Sequence, residues 1–336
     1  LNNVTLHFTI KLEEIKEEGV DLLPQNYFGP KQMSSLGVRI NGEPITQRST
    51  ANEYFLGSYF HYLINYTKSY TITAGETFGM FDYRNLTTTD ISTTLSGTTL
   101  AKFVKTRKNF NNKLVYEIIM PIDSTIFYSS NVLPSNTQLD LSFERADAVH
   151  STIFTKTPTD KSALAKVLAL EDVYLTVPYI DDAKMQSLEN TAVSKPIKLN
   201  YDEYTIQRFN IPTGSPYIRL SNLINGRLPQ ALFWGIMDEQ SYAGNNHFSS
   251  TLFKRYEQSK AGLYLDGNLV PGYPVTMDEN KVSQPYLRFI DVCNKYLNVY
   301  SSEILNMHDF NSYHFLHAVK STKESSGILT FNFQTS

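Results

Sequence analysis

Only one cysteine, Cys293, occurs in 336 residues. No intrachain disulfide is possible, so a disulfide-stapled secreted scaffold is excluded and the core has to hold the fold. A chain this poor in cysteine fits assembly in a reducing cytoplasm or nucleus. An excess of one charge is missing too: 30 Lys and Arg stand against 33 Asp and Glu, a net −3. A domain that coats nucleic acid by releasing counterions carries a basic excess, and this chain has none. No run approaches 18 uninterrupted apolar residues, so a membrane-spanning helix is not expected, and no signal peptide is visible. The chain opens on Leu1 instead of Met, already inside a strand pattern, and reads as trimmed at both ends. The sequence has no P-loop, no dinucleotide-binding glycine fingerprint, no HExxH and no GxSxG elbow.

Aromatic residues are abundant by contrast, with 22 Tyr and 20 Phe in a chain that is 41 % hydrophobic and 19 % charged. Together with frequent Thr, Val, Ile and Leu they favour pleated, half-buried surfaces. The length suits two all-β domains of ordinary size. Period-two alternation marks strands at many places. In the first, Val4, Leu6, Phe8, Ile10 and Leu12 share one face, and an acidic turn, Glu13 to Glu18, follows. Strands are also expected at Lys113 to Ile119, Gln138 to Phe143, Leu168 to Val177, Tyr204 to Ile211, Ala231 to Met237, Leu263 to Leu265 and Ile328 to Phe333. Pro178 places the Leu168 to Val177 strand at a sheet edge or ends it there. Helical spacing occurs twice, at Asn52 to Asn65 (Phe55, Tyr59, Tyr62, Leu63) and at Pro285 to Leu297 (Leu287, Ile290, Cys293, Leu297), with Pro285 suited to a first helical position.

The chain also repeats itself. Gly37 to Ile45 reads strand, Asn41-Gly42 turn, strand, and Gly262 to Val270 gives the same plan around Asp266-Gly267, 225 residues later. Asn-Gly and Asp-Gly supply the positive φ angles of a type I′ hairpin turn. One of the two helical segments follows each hairpin after a polar connection. Duplication of a β-domain is the economical explanation, with the division in the Thr-rich stretch His150 to Lys161 and domains of 1–155 and 156–336. A second loop-rich stretch, Leu86 to Leu100, reads as a long surface excursion.

Candidate chemistry is thin. His314 and His317 form an HxxH pair, but Ser312 to His317 reads as a strand, where positions three apart face opposite ways, and no further ligand completes a metal set. Cys293 lies on an apolar helical stripe, as a core residue would. The acidic pairs Glu171-Asp172 and Asp181-Asp182 suit turns or edges better than catalytic carboxylates. Trp234, inside Leu232 to Ile236, reads as core more readily than as a sugar platform. Sequons stand at Asn3, Asn65 and Asn85 and matter only in a secretory route. No catalytic, cofactor-binding or metal-binding residue is assigned.

Four collinear stretches resemble the capsid proteins of Polinton (Maverick) elements and adintovirus-like viruses. They are Met33 to Ile64, including Leu36-Gly37-Val38-Arg39-Ile40-Asn41-Gly42 and Tyr54-Phe55-Leu56; Leu139 to Arg145 followed by Leu170 to Val177; Phe209 to Gly214 leading to Asn225 to Gln230; and Leu263 to Gly267 with Val270-Pro271 behind it. The resemblance implies an all-β fold of two tandem jelly rolls, each half with a short helix. It implies a structural protein and not an enzyme: a homotrimeric, pseudo-hexagonal capsomer of an icosahedral virion. The implied partners are neighbouring capsomers and a penton-type minor capsid protein around double-stranded DNA that is not read by sequence. No cofactor is implied, and assembly falls in the host nucleus or cytoplasm. Long loops and the Tyr54 to Tyr70 segment become candidate intersubunit contacts, with packing of these tyrosines inside their own domain as the equal alternative. A minor capsid or penton-type protein and a glycan-binding β-sandwich are the alternatives.

Overall fold

Strand β1 (Thr5–Leu12) follows directly from its alternation: Val4, Leu6, Phe8, Ile10 and Leu12 are all buried, and the residues between them are half-buried. A strand buried on one face needs partners in one register only, because a one-residue slip would expose the whole set. β1 is the middle strand of a sheet ordered β5-β1-β8, formed with β5 (Val115–Pro121) and β8 (Val167–Thr176), both antiparallel to it. The computed structural model describes residues 4–12, 22–48, 53–66, 70, 73–80, 115–128, 133, 137–156, 167–178, 204–221, 223, 229–265, 267–278, 281–297, 305–320 and 327–333. It is mostly β with few helices, and no described helix is long and apolar enough to cross a membrane. The acidic turn at 13–18 and the loop at 86–100 lie outside the described residues.

The chain separates into two compact units. Unit 1 comprises Leu1–His61, Tyr70–Thr205 and Ala243–Ser250; unit 2 comprises Tyr62–Ser69, Ile206–Tyr242 and Thr251–Ser336. Besides the β1 sheet, unit 1 contains a sheet ordered β4-β3-β6, from β3 (Met33–Ile40), β4 (Glu43–Arg48) and β6 (Leu139–Arg145), and the pair β2 (Leu22–Pro24) with β7 (Thr152–Phe154). The β3–β4 hairpin turns at Asn41 and Gly42, whose φ values of 50° and 83° are the left-handed pair a type I′ turn requires. The Asn41 side chain also accepts from the Gln138 N–H at 2.9 Å, tying the turn to the start of β6. Helix α1 (Glu53–Asn65) follows the hairpin.

Unit 2 contains a sheet ordered β12-β11-β14-β9, from β9 (Tyr217–Leu220), β11 (Gln258–Leu265), β12 (Asn268–Thr276) and β14 (Gly327–Phe333), and the pair β10 (Ala231–Gly235) with β13 (Leu316–Lys320). A five-residue helix α2 (Glu239–Ala243) precedes β11. The β11–β12 hairpin turns at Gly267 with φ 79°. Two helices follow it, α3 (Ser283–Leu297) and α4 (Met307–Tyr313). Phe310 of α4 is fully buried against Tyr286, Phe289 and Phe315, with ring centroids 5.2 to 5.6 Å apart.

Several expectations need correction. Tyr204 to Ile211 is described but forms no strand, and no described strand pairs with it. Helix α3 begins two residues before Pro285, still within the first turn where a proline costs no intrahelical bond. Its buried stripe runs through Pro285, Phe289, Val292 and Cys293, and Leu287 is 63 % exposed. The Thr-rich stretch expected as a linker starts with a buried strand: Ser151 to Thr155 are all buried, and β7 lies within them. Their hydroxyls make this possible, since Ser151 and Thr152 both donate to the Ala148 carbonyl, at 3.1 and 2.9 Å. β8, which lies beyond the expected division at Thr155, completes a sheet with β1. The tyrosines of α1 are not open contact surface: Tyr54, Tyr59 and Tyr62 are among the largest fully buried side chains.

Candidate functional site

Buried polar clusters and bare sheet edges are the features from which a function can be argued. The tightest cluster, in unit 1, centres on Gln25, which is 1 % exposed. Its amide nitrogen donates to the carbonyls of Thr152 (2.9 Å) and Phe248 (3.0 Å). Its amide oxygen accepts from Lys31 Nζ (2.9 Å) and the Ser250 N–H (3.1 Å). An Asn or Gln amide has two donors and two acceptor sites, and all four are used. Asn246 adds a 2.6 Å bond from its amide to the Thr152 hydroxyl, and the Ser250 hydroxyl donates to the His150 carbonyl at 2.7 Å. Ala243–Ser250 is thereby fastened to β2 and β7. These bonds make the cluster a scaffold around Gln25.

A second cluster in unit 1 joins three distant positions. His61 Nδ1 of α1 lies 3.0 Å from Asp123 Oδ1, Tyr204 donates its hydroxyl to Asp123 Oδ2 at 2.5 Å, and the Asp123 N–H donates to the Tyr54 hydroxyl at 3.2 Å. The His61 and Tyr204 rings lie parallel at 6.5 Å. A buried carboxylate orienting an imidazole resembles half of a hydrolytic triad, but Ser58, one turn earlier on the helix, is buried and hydrogen-bonded to Tyr27. The cluster anchors α1 to the segment after β5.

The residues singled out by the sequence fall out as follows. His314 caps α4 and His317 lies in β13, so the segment from Ser312 is helix, then bridge, then strand, and not the continuous strand expected. The Asn306 side chain, accepting from the Asp309 N–H at 2.8 Å, starts the helix that carries Ser312 and Tyr313. Both histidines are buried, and no cluster of three potential metal ligands occurs among the described residues. Cys293 is 3 % exposed, and burial pushes its thiol up to about 12, far from a reactive thiolate. Trp234 is half-buried with its ring stacked on His317 at 5.1 Å, so it is neither a bare platform nor full core. Glu171 pairs with Lys11 at 2.7 Å. Asn65 ends α1 half-buried. Asn3, Asn85, Asp181 and Asp182 lie outside the described residues.

Two buried histidines set a pH dependence. Burial holds His150 down to about 4 against an ordinary 6.5, with Asp147 opposing the shift and Lys31 adding to it. His317 is held down to about 3 by burial and by Arg288, and its Nε2 lies 2.9 Å from Gln258 Oε1. Each is neutral in the fold, while in the unfolded chain it binds a proton below 6.5. Stability from this source is therefore complete above pH 6.5 and falls as the pH drops towards 4 and below. Urea midpoints taken from pH 7.5 to pH 4 are expected to fall over that window, and less steeply in a His317→Phe variant.

Among the described residues β8 is the outer strand of its sheet, and from Asp172 onward consecutive residues are exposed: Val173, Tyr174, Leu175 and Val177 are between 41 and 55 % exposed. Asp172 has φ 52° where β8 shifts register against β1, a bulge that interrupts the alternation. β9 is the outer strand of the four-stranded sheet among the described residues and exposes Tyr217 and Arg219. Pro178 placed β8 at a sheet edge or ended it there, and β8 is the outer strand among the described residues; no such signal pointed to β9.

No family model matches the chain, and no curated protein matches it. Among solved structures it is similar to PBCV-1 VP54, in a crystal structure fitted into a reconstruction of the virophage Sputnik, at 9 % identity and TM-score 0.47, over 99 % of this chain and 77 % of that one. It is also similar to the STIV MCP, at 10 % identity and TM-score 0.33, over 99 % of this chain and 87 % of that one. At TM-scores below 0.5 neither likeness decides the fold or the function of this chain.

Proposed function

We propose that this chain is a structural capsid protein built as a double jelly roll, with the first jelly roll running through β8. The observation that carries the reading is the repeated hairpin followed by a helix, β3–β4 with α1 and β11–β12 with α3, one hairpin in each compact unit. The four collinear stretches that resemble Polinton and adintovirus-like capsid proteins support it. In this reading three chains form a pseudo-hexagonal capsomer. Capsomers then join one another and a penton-type minor capsid protein in an icosahedral virion around double-stranded DNA. The near-neutral charge suits enclosure without sequence reading. Negative-stain electron microscopy of the purified protein tests this: hexagonal trimers or shells are expected, and scattered monomers at high concentration would refute it.

A further inference from the structure

We infer that the Ala243–Asn245 end of the segment Ala243–Ser250 is an acid-released cover, which lies closed on the neutral His150 imidazole and lifts when that ring takes a proton. The inference goes beyond the capsid reading and does not depend on it.

His150 ends a short 3-10 turn, Ala148–His150, and is buried in unit 1. Gly244 of the same unit lies against the edge of its ring. A φ of 91° and the lack of a side chain permit this approach. A Cβ on Gly244 would stand 2.8 Å from His150 Cε1, 3.0 Å from Nδ1 and 2.5 Å from Val149 Cγ2. Gly244 is half-buried and Ala243 before it is exposed, so the cover is thin. Nδ1 is buried and has no hydrogen-bond partner among the described residues. In the imidazolium Nδ1 must carry a proton, and the closed cover offers that N–H no acceptor. A buried donor without an acceptor and a buried charge are both costly, and water reached by lifting the cover relieves both.

The other neighbours of the ring do not remove that cost. Lys31, just before β3, adds a second positive charge, and Asp147, which caps the 3-10 turn, opposes it only in part. From α1 comes Phe55, an uncharged ring 5.3 Å away. His247, the one titratable residue of the segment, leans instead on Phe154 at 5.6 Å.

The two ends of the segment are held differently. Asn246 and Ser250 are bonded to Thr152 and Gln25, which fixes the far end. Asn245 accepts from the His247 N–H at 2.9 Å through its side chain and from the Phe248 N–H at 3.0 Å through its carbonyl. Lifting Asn245 away from the fixed end breaks these two bonds and leaves the Ser250 bond intact.

Under the closed cover His150 titrates at about 4, and under the lifted one at its ordinary 6.5. The closed form is therefore fully favoured above pH 6.5, and its advantage falls about 20-fold between pH 7 and pH 5.

Site-resolved amide hydrogen exchange on the full chain, corrected for intrinsic rates at each pH, tests this. The His247 and Phe248 amides are expected to be at least about ten-fold less protected than Ser250, because the cover opens by itself. Their protection should fall about 20-fold from pH 7 to pH 5. His150→Gln keeps a neutral polar side chain and is expected to abolish that fall. Gly244→Ala is expected to hold the cover open at pH 7 with circular dichroism unchanged, and His150 should then titrate near 6.5 by NMR. The cover is overturned if His247 and Phe248 exchange no faster than Ser250. It is equally overturned if their pH dependence survives His150→Gln, or if His150 still titrates near 4 in a folded Gly244→Ala chain.

Discussion

Gln25→Ala is expected to lower the stability of the protein by about 3–5 kcal/mol, since each buried polar group stripped of its partner costs about 1–3 kcal/mol. The substitution removes four hydrogen bonds at once from a site that water does not reach. The Phe248 carbonyl and the Ser250 N–H lose the partner that fixes Ala243–Ser250, and the Lys31 ammonium loses an acceptor in a place where its charge is fully buried. Gln25→Met separates the two contributions. It keeps the volume but not the bonds, so its cost should stay close to that of Ala if polar satisfaction is what matters. A Met variant that recovers most of the loss would show that Gln25 acts mainly as filler. Urea denaturation followed by far-ultraviolet circular dichroism measures both variants, and proteolysis in the 243–250 segment should accelerate in each.

Phe310→Ala is expected to cost about 3–5 kcal/mol, the usual range for emptying a buried phenylalanine site. Phe310 has no exposed surface and touches three other aromatic rings, so its removal leaves a cavity bounded by rigid side chains that cannot collapse into it. Phe310→Leu keeps most of the volume and should cost about 1.5 kcal/mol or less. Trp234, the one tryptophan of the chain, lies in β10 beside β13 in the same unit. Its fluorescence therefore reports this unit specifically. The Phe310→Ala midpoint should move in Trp emission at least as far as in circular dichroism. An unchanged Trp transition would mean that the ring cluster contributes little to the unit that contains it.

Local signals in the sequence were reliable where one residue type forces one geometry. The Asn41-Gly42 turn needs two left-handed residues and has them. The five apolar side chains of β1 sit on one buried face because a strand has no other way to arrange them. Both long helices lie within two residues of where their spacing placed them. What periodicity does not specify is which stripe meets the core. In α3 the stripe containing Leu287 and the stripe containing Phe289 and Val292 are close to equally apolar, and only packing distinguishes them. Composition misled for a related reason: Ser and Thr in 151–155 look like linker until their hydroxyls bond to local backbone. Pro178 signalled that β8 lies at an edge or ends there, whereas nothing in Tyr217 to Leu220 marks β9 as an outer strand, because a strand's place in the order is a property of the sheet.

The fastening of Ala243–Ser250 to Gln25 bears on how this chain can be made. Gln25 emerges early in synthesis, but two of its four partners lie 223 and 225 residues later. Unit 1 therefore cannot close its polar cluster until most of the chain has left the ribosome, and β2 and β7 wait meanwhile with donors and acceptors unfilled. Contacts this distant in sequence slow folding and prolong exposure of incomplete surfaces. The same delay keeps a half-made chain from presenting a finished subunit, so truncated products would be poor competitors for any assembly the full chain enters.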